Sequence, residues 1–227
     1  MALAPTVLSL NFSAQALPTD GGAFSHPFTK ENPMQNPNEI RVAGTGRIFI
    51  ANVGASAPID TKSEWDPAWH DLGYTSTDGV KFGRKGKTAN VDTWQSLTPA
   101  RTIYTERELT VKFGMLQLND DTLPFFFGGG KVDVTNPNSG FYKYEIKNDQ
   151  GEDERALGIE FNDGADIRYR FVIPRGMVTV SDDIDFNRKG AVKLGVTFTA
   201  LAPTSGTTLA TWLMNEKAHA PSAVAAK

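Results

Sequence analysis

Apolar and polar residues alternate most regularly between Ile103 and Met115. One face of that stretch carries Ile103, Thr105, Arg107, Leu109, Val111, Phe113 and Met115; the other carries Tyr104, Glu106, Glu108, Thr110, Lys112 and Gly114. A period of two predicts a β-strand with one buried and one wet face. At ~3.3 Å per residue it reaches roughly 40 Å, long for a compact sandwich. Arg107 on the apolar face predicts a bulge or bend near the middle. Val192–Leu201 repeats the pattern, with Val192, Leu194, Val196, Phe198 and Ala200 on one side.

Shorter runs predict further strands at Arg47–Val53, Val80–Arg84, Thr88–Trp94, Lys131–Thr135, Phe141–Lys147, Ala156–Phe161, Ile167–Ile173 and Met177–Val180. Punctuation falls at Asp78-Gly79, Lys85-Gly86-Lys87, Thr98-Pro99, Asn138-Ser139-Gly140, Asn162-Asp163-Gly164 and Pro174-Arg175-Gly176, all turn-forming or strand-breaking combinations. Trp65, Trp69 and Leu72, in the loop 54–73, are expected to fold back onto the domain. One short helix fits Asp121–Phe127, with Asp120 or Asp121 as cap, Pro124 in the tolerant first turn and Gly128-Gly129-Gly130 as stop. Many short strands with almost no helical periodicity predict an all-β chain, a β-sandwich or barrel.

The ends differ from this middle. Residues 1–38 hold five prolines (Pro5, Pro18, Pro27, Pro33, Pro37) and three charges, which disfavours helix and interior strand alike. Apolar Phe12, Phe24 and Phe28 nevertheless need a surface to cover, so the segment is expected to be an extended arm that docks on something, with a disordered leader as the alternative. In the tail 202–227, Leu209, Trp212, Leu213 and Glu216 sit at helical spacing, which leaves a docked helical stretch or an unstructured tail open. Trp212 is the subunit-contact candidate there. The expected organisation is arm 1–38, domain 39–201 and tail 202–227.

Composition narrows the function. With 227 residues, 40% of them hydrophobic, the chain can bury a core. Net charge is −3, without the basic surplus of a protein that grips phosphates, so any contact with DNA should be loose. Cysteine is absent, which removes disulfides, thiol nucleophiles and thiolate metal sites. Met1 to Leu10 has no basic residue ahead of its apolar stretch, so a cytoplasmic start is expected. No apolar run approaches the roughly 20 residues that span a bilayer, and no membrane partner is expected.

Candidate chemistry is thin. His26, His70 and His219 are scattered and lack partners at metal-binding spacing. Asp183, Asp185 and Asn187 imitate a calcium loop, but Arg188 and Leu194 occupy its glycine and closing-acid positions, so a solvated strand edge is expected. Gly128-Gly129-Gly130-Lys131 runs into a strand, unlike a phosphate-binding loop. Glu106 and Glu108 are neighbours on one strand and read as a solvent-facing stripe, not a glycosidase pair. No catalytic residue, metal or cofactor is expected.

The stretch Arg41-Val42-Ala43-Gly44-Thr45-Gly46-Arg47-Ile48-Phe49-Ile50-Ala51 resembles the opening of major tail tube proteins of long-tailed, non-contractile bacteriophages. Asp71-Leu72-Gly73-Tyr74, Asp78-Gly79-Val80, Trp94-Gln95-Ser96-Leu97, Arg101–Gln117 and Asn119–Gly130 are similar to the same family, over roughly residues 39–200. Pro124 and the long arm before residue 39 depart from its pattern. The resemblance implies a β-sandwich flanked by one helix, six copies per ring, and rings stacked into a hollow virion tail tube that delivers DNA. It also implies tape-measure and terminator or tail-tip partners. On that reading Glu106, Glu108, Thr110 and Lys112 are candidates to line the channel. The rival readings are a carbohydrate-binding β-sandwich, using Trp65 and Trp69 as a platform, and another ring protein of the tail, such as a terminator or hub.

Overall fold

The computed structural model describes residues 39–136, 140–148 and 151–216, and the chain divides into residues 1–40 and a compact unit from Arg41 onward. Within that unit, in chain order, lie β1 (Thr45–Asn52), β2 (His70–Asp71), β3 (Lys81–Thr93), β4 (Ser96–Met115), α1 (Thr122–Phe127), β5 (Val132–Asn136), β6 (Phe141–Tyr144), β7 (Arg155–Asp163), β8 (Ile167–Ser181), β9 (Leu194–Ala200) and β10 (Thr211–Met214). The fold is all-β with one short helix, as the patterning predicts.

One antiparallel sheet runs β2-β1-β7-β8-β9-β4-β3, with β10 added to β8, and β5 pairs with β6 separately. The sheet curls on itself. Phe82 of β3 meets Phe171 of β8 edge-on at 4.7 Å, although two strands, β9 and β4, lie between them in the sheet order. Its inner face closes around Ile48, Val111, Met115, Leu157, Ile173, Val196 and Phe198, each at most 1% exposed. Phe125 of α1 plugs one side, stacked between Phe113 and Phe198. Burying each such side chain contributes about 1.5–3 kcal/mol. On the outer face of β1, β7 and β8, Phe49, Ala156 and Val172 are covered by Trp65 and Trp69 from the loop, which folds back as expected.

Beneath those tryptophans lies a buried ion pair. Arg170 and Glu160 are 1% and 6% exposed, with Arg170 Nε donating to Glu160 Oε2 at 2.7 Å. The same carboxylate accepts from Trp65 Nε1 at 3.1 Å, and Arg170 Nη1 donates to the Asp60 carbonyl at 2.8 Å. The network fastens the loop to the sheet, because burying either charge without its partner is strongly unfavourable.

Several expectations need correction. Lys85-Gly86-Lys87 is no turn: these residues continue β3, paired with Glu108, Arg107 and Glu106. The complementary charges across the strands suit a ladder, and the reversal falls at Trp94-Gln95 between paired Thr93 and Ser96. Pro99 lies inside β4, opposite the register shift between Val91 and Thr93, an irregular stretch of the kind where proline is tolerated in strands. Pro174-Arg175-Gly176 does not break β8. It is a bulge opposite Arg155–Leu157, where Gly176 pairs with both Arg155 and Ala200 as the strand passes from β7 to β9. A Cβ on Gly176 would sit 2.5 Å from the Thr199 carbonyl oxygen and 2.6 Å from the Phe198 Cζ, so this glycine serves close approach. Leu209–Glu216 is not helical: Thr211–Met214 forms β10 against β8. Asp121 occupies the N-cap position, one of the two expected, but its side chain makes no capping bond; Asn119 Oδ1 accepts from the backbone N–H of Asp121 and Thr122 instead. Gly128 ends the helix at φ 81°, as the glycine run predicts.

Candidate functional site

The strand with the clearest alternation builds the most unusual feature. β4 pairs with β9 only over Thr110–Met115, and from residue 109 back to 96 its only partner is β3. A two-stranded ribbon therefore projects from the sheet. Over residues 96–108 both faces of β4 are exposed, so the expected buried face is confined to Leu109 onward; among the described residues no second layer packs on the ribbon. At ~3.3 Å per residue β4 measures roughly 65 Å.

The expected bulge is present. Lys87 pairs with Glu106 but Thr88 with Tyr104, leaving Thr105 unpaired. The extra residue reverses the alternation toward the tip. Tyr104, not Ile103, shares the face of Arg107, whose guanidinium lies 4.8 Å from the Tyr104 ring.

Glu106, Glu108, Thr110 and Lys112 share one face, which β3 completes with Lys87, Lys85, Gly83 and Lys81 directly opposite. The face is thus not acidic: four lysines stand with two glutamates, and part of the excess is offset by neighbouring aspartates. Lys87 Nζ lies 2.7 Å from Glu106, Lys112 3.6 Å from Asp182, and Lys193 reaches Asp78 beside it. The Glu106 hydrogen bond raises the Lys87 pKa and the Lys193 bond lowers that of Asp78, so both groups stay charged at neutral pH. The whole hairpin, residues 81–112, carries seven basic and three acidic side chains in a chain of net charge −3.

Among the described residues, nothing pairs with the outer edge of β3, the one away from β4, over its thirteen residues. Natural sheets guard such edges or pair them, because open N–H and C=O groups recruit further strands. At the tip Trp94 and Leu97 are fully exposed. A third feature gathers the chain's ends: Arg41 Nε donates to Tyr169 Oη at 3.2 Å, Tyr169 Oη donates to Glu216 at 3.0 Å, and Arg41 also pairs with Glu216.

Of the subunit-contact candidates, Phe12, Phe24 and Phe28 lie outside the described residues. Trp212 is engaged within its own chain, against Phe82 at 5.6 Å and Phe171 at 4.9 Å, and remains 44% exposed. Trp65 and Trp69 form no carbohydrate platform. Trp69 is 6% exposed with its indole N–H on the Ser56 carbonyl, and Trp65 stacks on Phe49. The segment 182–187 is irregular, not a strand edge, and Asn187 Oδ1 caps the N–H groups of Lys189 and Gly190. Among the described residues no cluster of three His, Asp or Glu side chains could hold a metal ion, and no helix is long and apolar enough to cross a membrane. Sequence reasoning missed the ribbon's length and the exposed tip; the signal was the charge match between Lys85–Lys87 and Glu106–Glu108.

An all-β unit with a projecting ribbon and an open edge defines a structural, self-associating class of protein. Residues 33–225 match the family described as phage tail tube protein, and the chain belongs to that family. It is a structural component of the virion tail that assembles into a tube. No curated protein matches the chain.

Proposed function

We propose that the chain is the tail tube subunit of a long-tailed, non-contractile phage, that six copies close into a ring, and that stacked rings form the channel for DNA ejection. The observation that carries this reading is the β3–β4 ribbon, with a thirteen-residue open edge on one side. A ring disposes of that edge by pairing it with the next copy, and closed symmetry limits the number of copies. The apolar arm of residues 1–38, with Phe12, Phe24 and Phe28, clasps a neighbour, and the exposed part of Trp212 supplies a second contact.

Glu106, Glu108, Thr110 and Lys112 line the channel in this reading. Each lysine that neutralised a phosphate would release counterions and add drag, multiplied by the copies in every ring. Pairing Lys87 with Glu106 and Lys112 with Asp182 offsets part of that attraction, so DNA is held only loosely. Tape-measure and terminator proteins set the tube's length and ends, and assembly takes place in the host cytoplasm.

Negative-stain microscopy of the purified protein tests the assignment. Tubes or stacked six-fold rings are the expected result. Single rings that never stack at high concentration would instead fit a terminator, and a persistent monomer would overturn the reading.

A further inference from the structure

The ribbon has two open edges among the described residues. β3 offers Lys81–Thr93 on one side, and β4 offers residues 96–109 on the other, since β9 pairs only with Thr110–Met115. Pro99 has no N–H to give a neighbouring strand, which guards the tip and leaves residues 100–109 available. Among the described residues no other unpaired stretch of strand edge exceeds five residues, the length of β5 and of residues 177–181 on the β7 side of β8. Length therefore matches the long edge of β3 to one partner, the free edge of β4 on a second copy. β3 and β4 run antiparallel within a copy, so ribbons set side by side in one orientation meet antiparallel again. Such a head-to-tail joint repeats until a ring closes.

We propose that the β3 edge of one copy pairs with the free β4 edge of the next, and that Lys85 and Lys87 against Glu106 and Glu108 form a charge code that decides which copies join. The inference rests on the tube reading above and adds the joint and its selectivity. Within a copy these four residues already share one face. Lys87 reaches Glu106 at 2.7 Å, yet the two side chains stay 74% and 61% exposed. Lys85 and Glu108 stand opposite each other and, among the described residues, form no ion pair. Each glutamate can thus take a second lysine from its other side. The rival joints are worse. Residues 81–91 hold four bases and no acid, so two β3 edges would meet with like charges facing. A joint between two β4 edges would leave both β3 edges open. Main-chain hydrogen bonds hold the joint, and the charges select by making the wrong joint repulsive. Neutral side chains at these positions therefore still allow assembly; reversed ones forbid it.

The test is a charge swap, Lys85→Glu and Lys87→Glu with Glu106→Lys and Glu108→Lys in one chain. The swap keeps opposite charges facing inside each copy and at joints between identical copies, and sets like charges together only at mixed joints. Swapped chains are expected to form tubes alone. Polymerised at low salt with tagged wild-type chains, they should enter the tagged tubes at less than about one tenth of the level of untagged wild-type chains, and mixing should return as salt screens the charges. Two half swaps, one carrying the two Lys→Glu changes and the other the two Glu→Lys changes, cover the case of a full swap that does not assemble. Each should assemble poorly alone, and their mixture well, because alternating copies restore opposite charges at every joint. Free mixing of swapped and wild-type chains at low salt, or half swaps whose mixture assembles no better than either alone, would overturn the charge code while leaving the tube assignment intact. Failure of the wild-type chain to assemble would instead overturn both.

Discussion

Removing Glu160 should destabilise the subunit more than any surface substitution, and the magnitude follows from its burial. The carboxylate is 8% exposed and holds Arg170, 2% exposed, at 2.7 Å. Glu160→Ala leaves the guanidinium inside the sheet with only the Asp60 carbonyl and Ser63 hydroxyl as acceptors. Breaking a buried pair in this way costs about 3–5 kcal/mol. With a urea slope of about 2 kcal/mol per molar, the midpoint should fall by about 1.5–2.5 M. Tryptophan fluorescence of unassembled protein is the assay, because Trp65 loses its acceptor in the same step. Replacing both partners by apolar residues, Glu160→Leu with Arg170→Met, should recover much of the loss, since no buried charge is then stranded; Arg168, 3.7 Å from Glu160, is 40% exposed and stays solvated. A midpoint shift below about 0.5 M for Glu160→Ala would show that water reaches Arg170 and refute the argument.

Gly176→Ala should cost about 1–3 kcal/mol by overpacking against Phe198 and Thr199, seen as a lower melting temperature. Acid should destabilise the unit as well. Hydrogen bonds from the Ser63 and Lys62 backbone hold Asp60 below its ordinary 3.8, and the hydrogen bond with Arg175 holds Glu154 below 4.5. Their folded values lie below the unfolded ones, so this stability is present above the ordinary carboxylate range and is lost as pH falls through the depressed values. Melting temperature should stay flat above about pH 5 and drop below it, and Asp60→Asn should flatten part of that acid limb. Finally, Glu106→Gln with Glu108→Gln should leave tubes intact but slow DNA ejection, with relief at higher salt, because Lys85 and Lys87 lose their counter-charges. Ejection at the normal rate would place this face outside the channel.

Where the chain alternates on one buried face, its fold is legible in the sequence. Leu194, Val196 and Phe198 show it on β9, as do the apolar positions from Leu109 to Met115 on β4. Turn chemistry was less reliable, for a physical reason in each case. The hairpin reverses at Trp94-Gln95 with no glycine to mark it, and no non-glycine residue among those described has a positive φ. Gly86 and Gly176 looked like punctuation but lie within strands. Lys-Gly-Lys also reads as a polar turn until its partner strand supplies glutamates opposite. The four residues of β10 are too few to display a period, so the spacing of Leu209, Trp212 and Glu216 suggested a helix that pairing with β8 overrides. Arg170 hid for another reason: alternating with Tyr169 and Phe171 it looks solvent-facing, and only the folded-back tryptophan loop buries it.

The most direct test of the account is an electron cryomicroscopy reconstruction of tubes assembled from the full chain. The predicted map has six-fold rings, the β3 edge paired with an adjacent copy in the ring, and Glu106, Glu108, Thr110 and Lys112 facing the channel. A tube of different symmetry whose channel is walled by other strands, with the β3 edge left open to solvent, would contradict it.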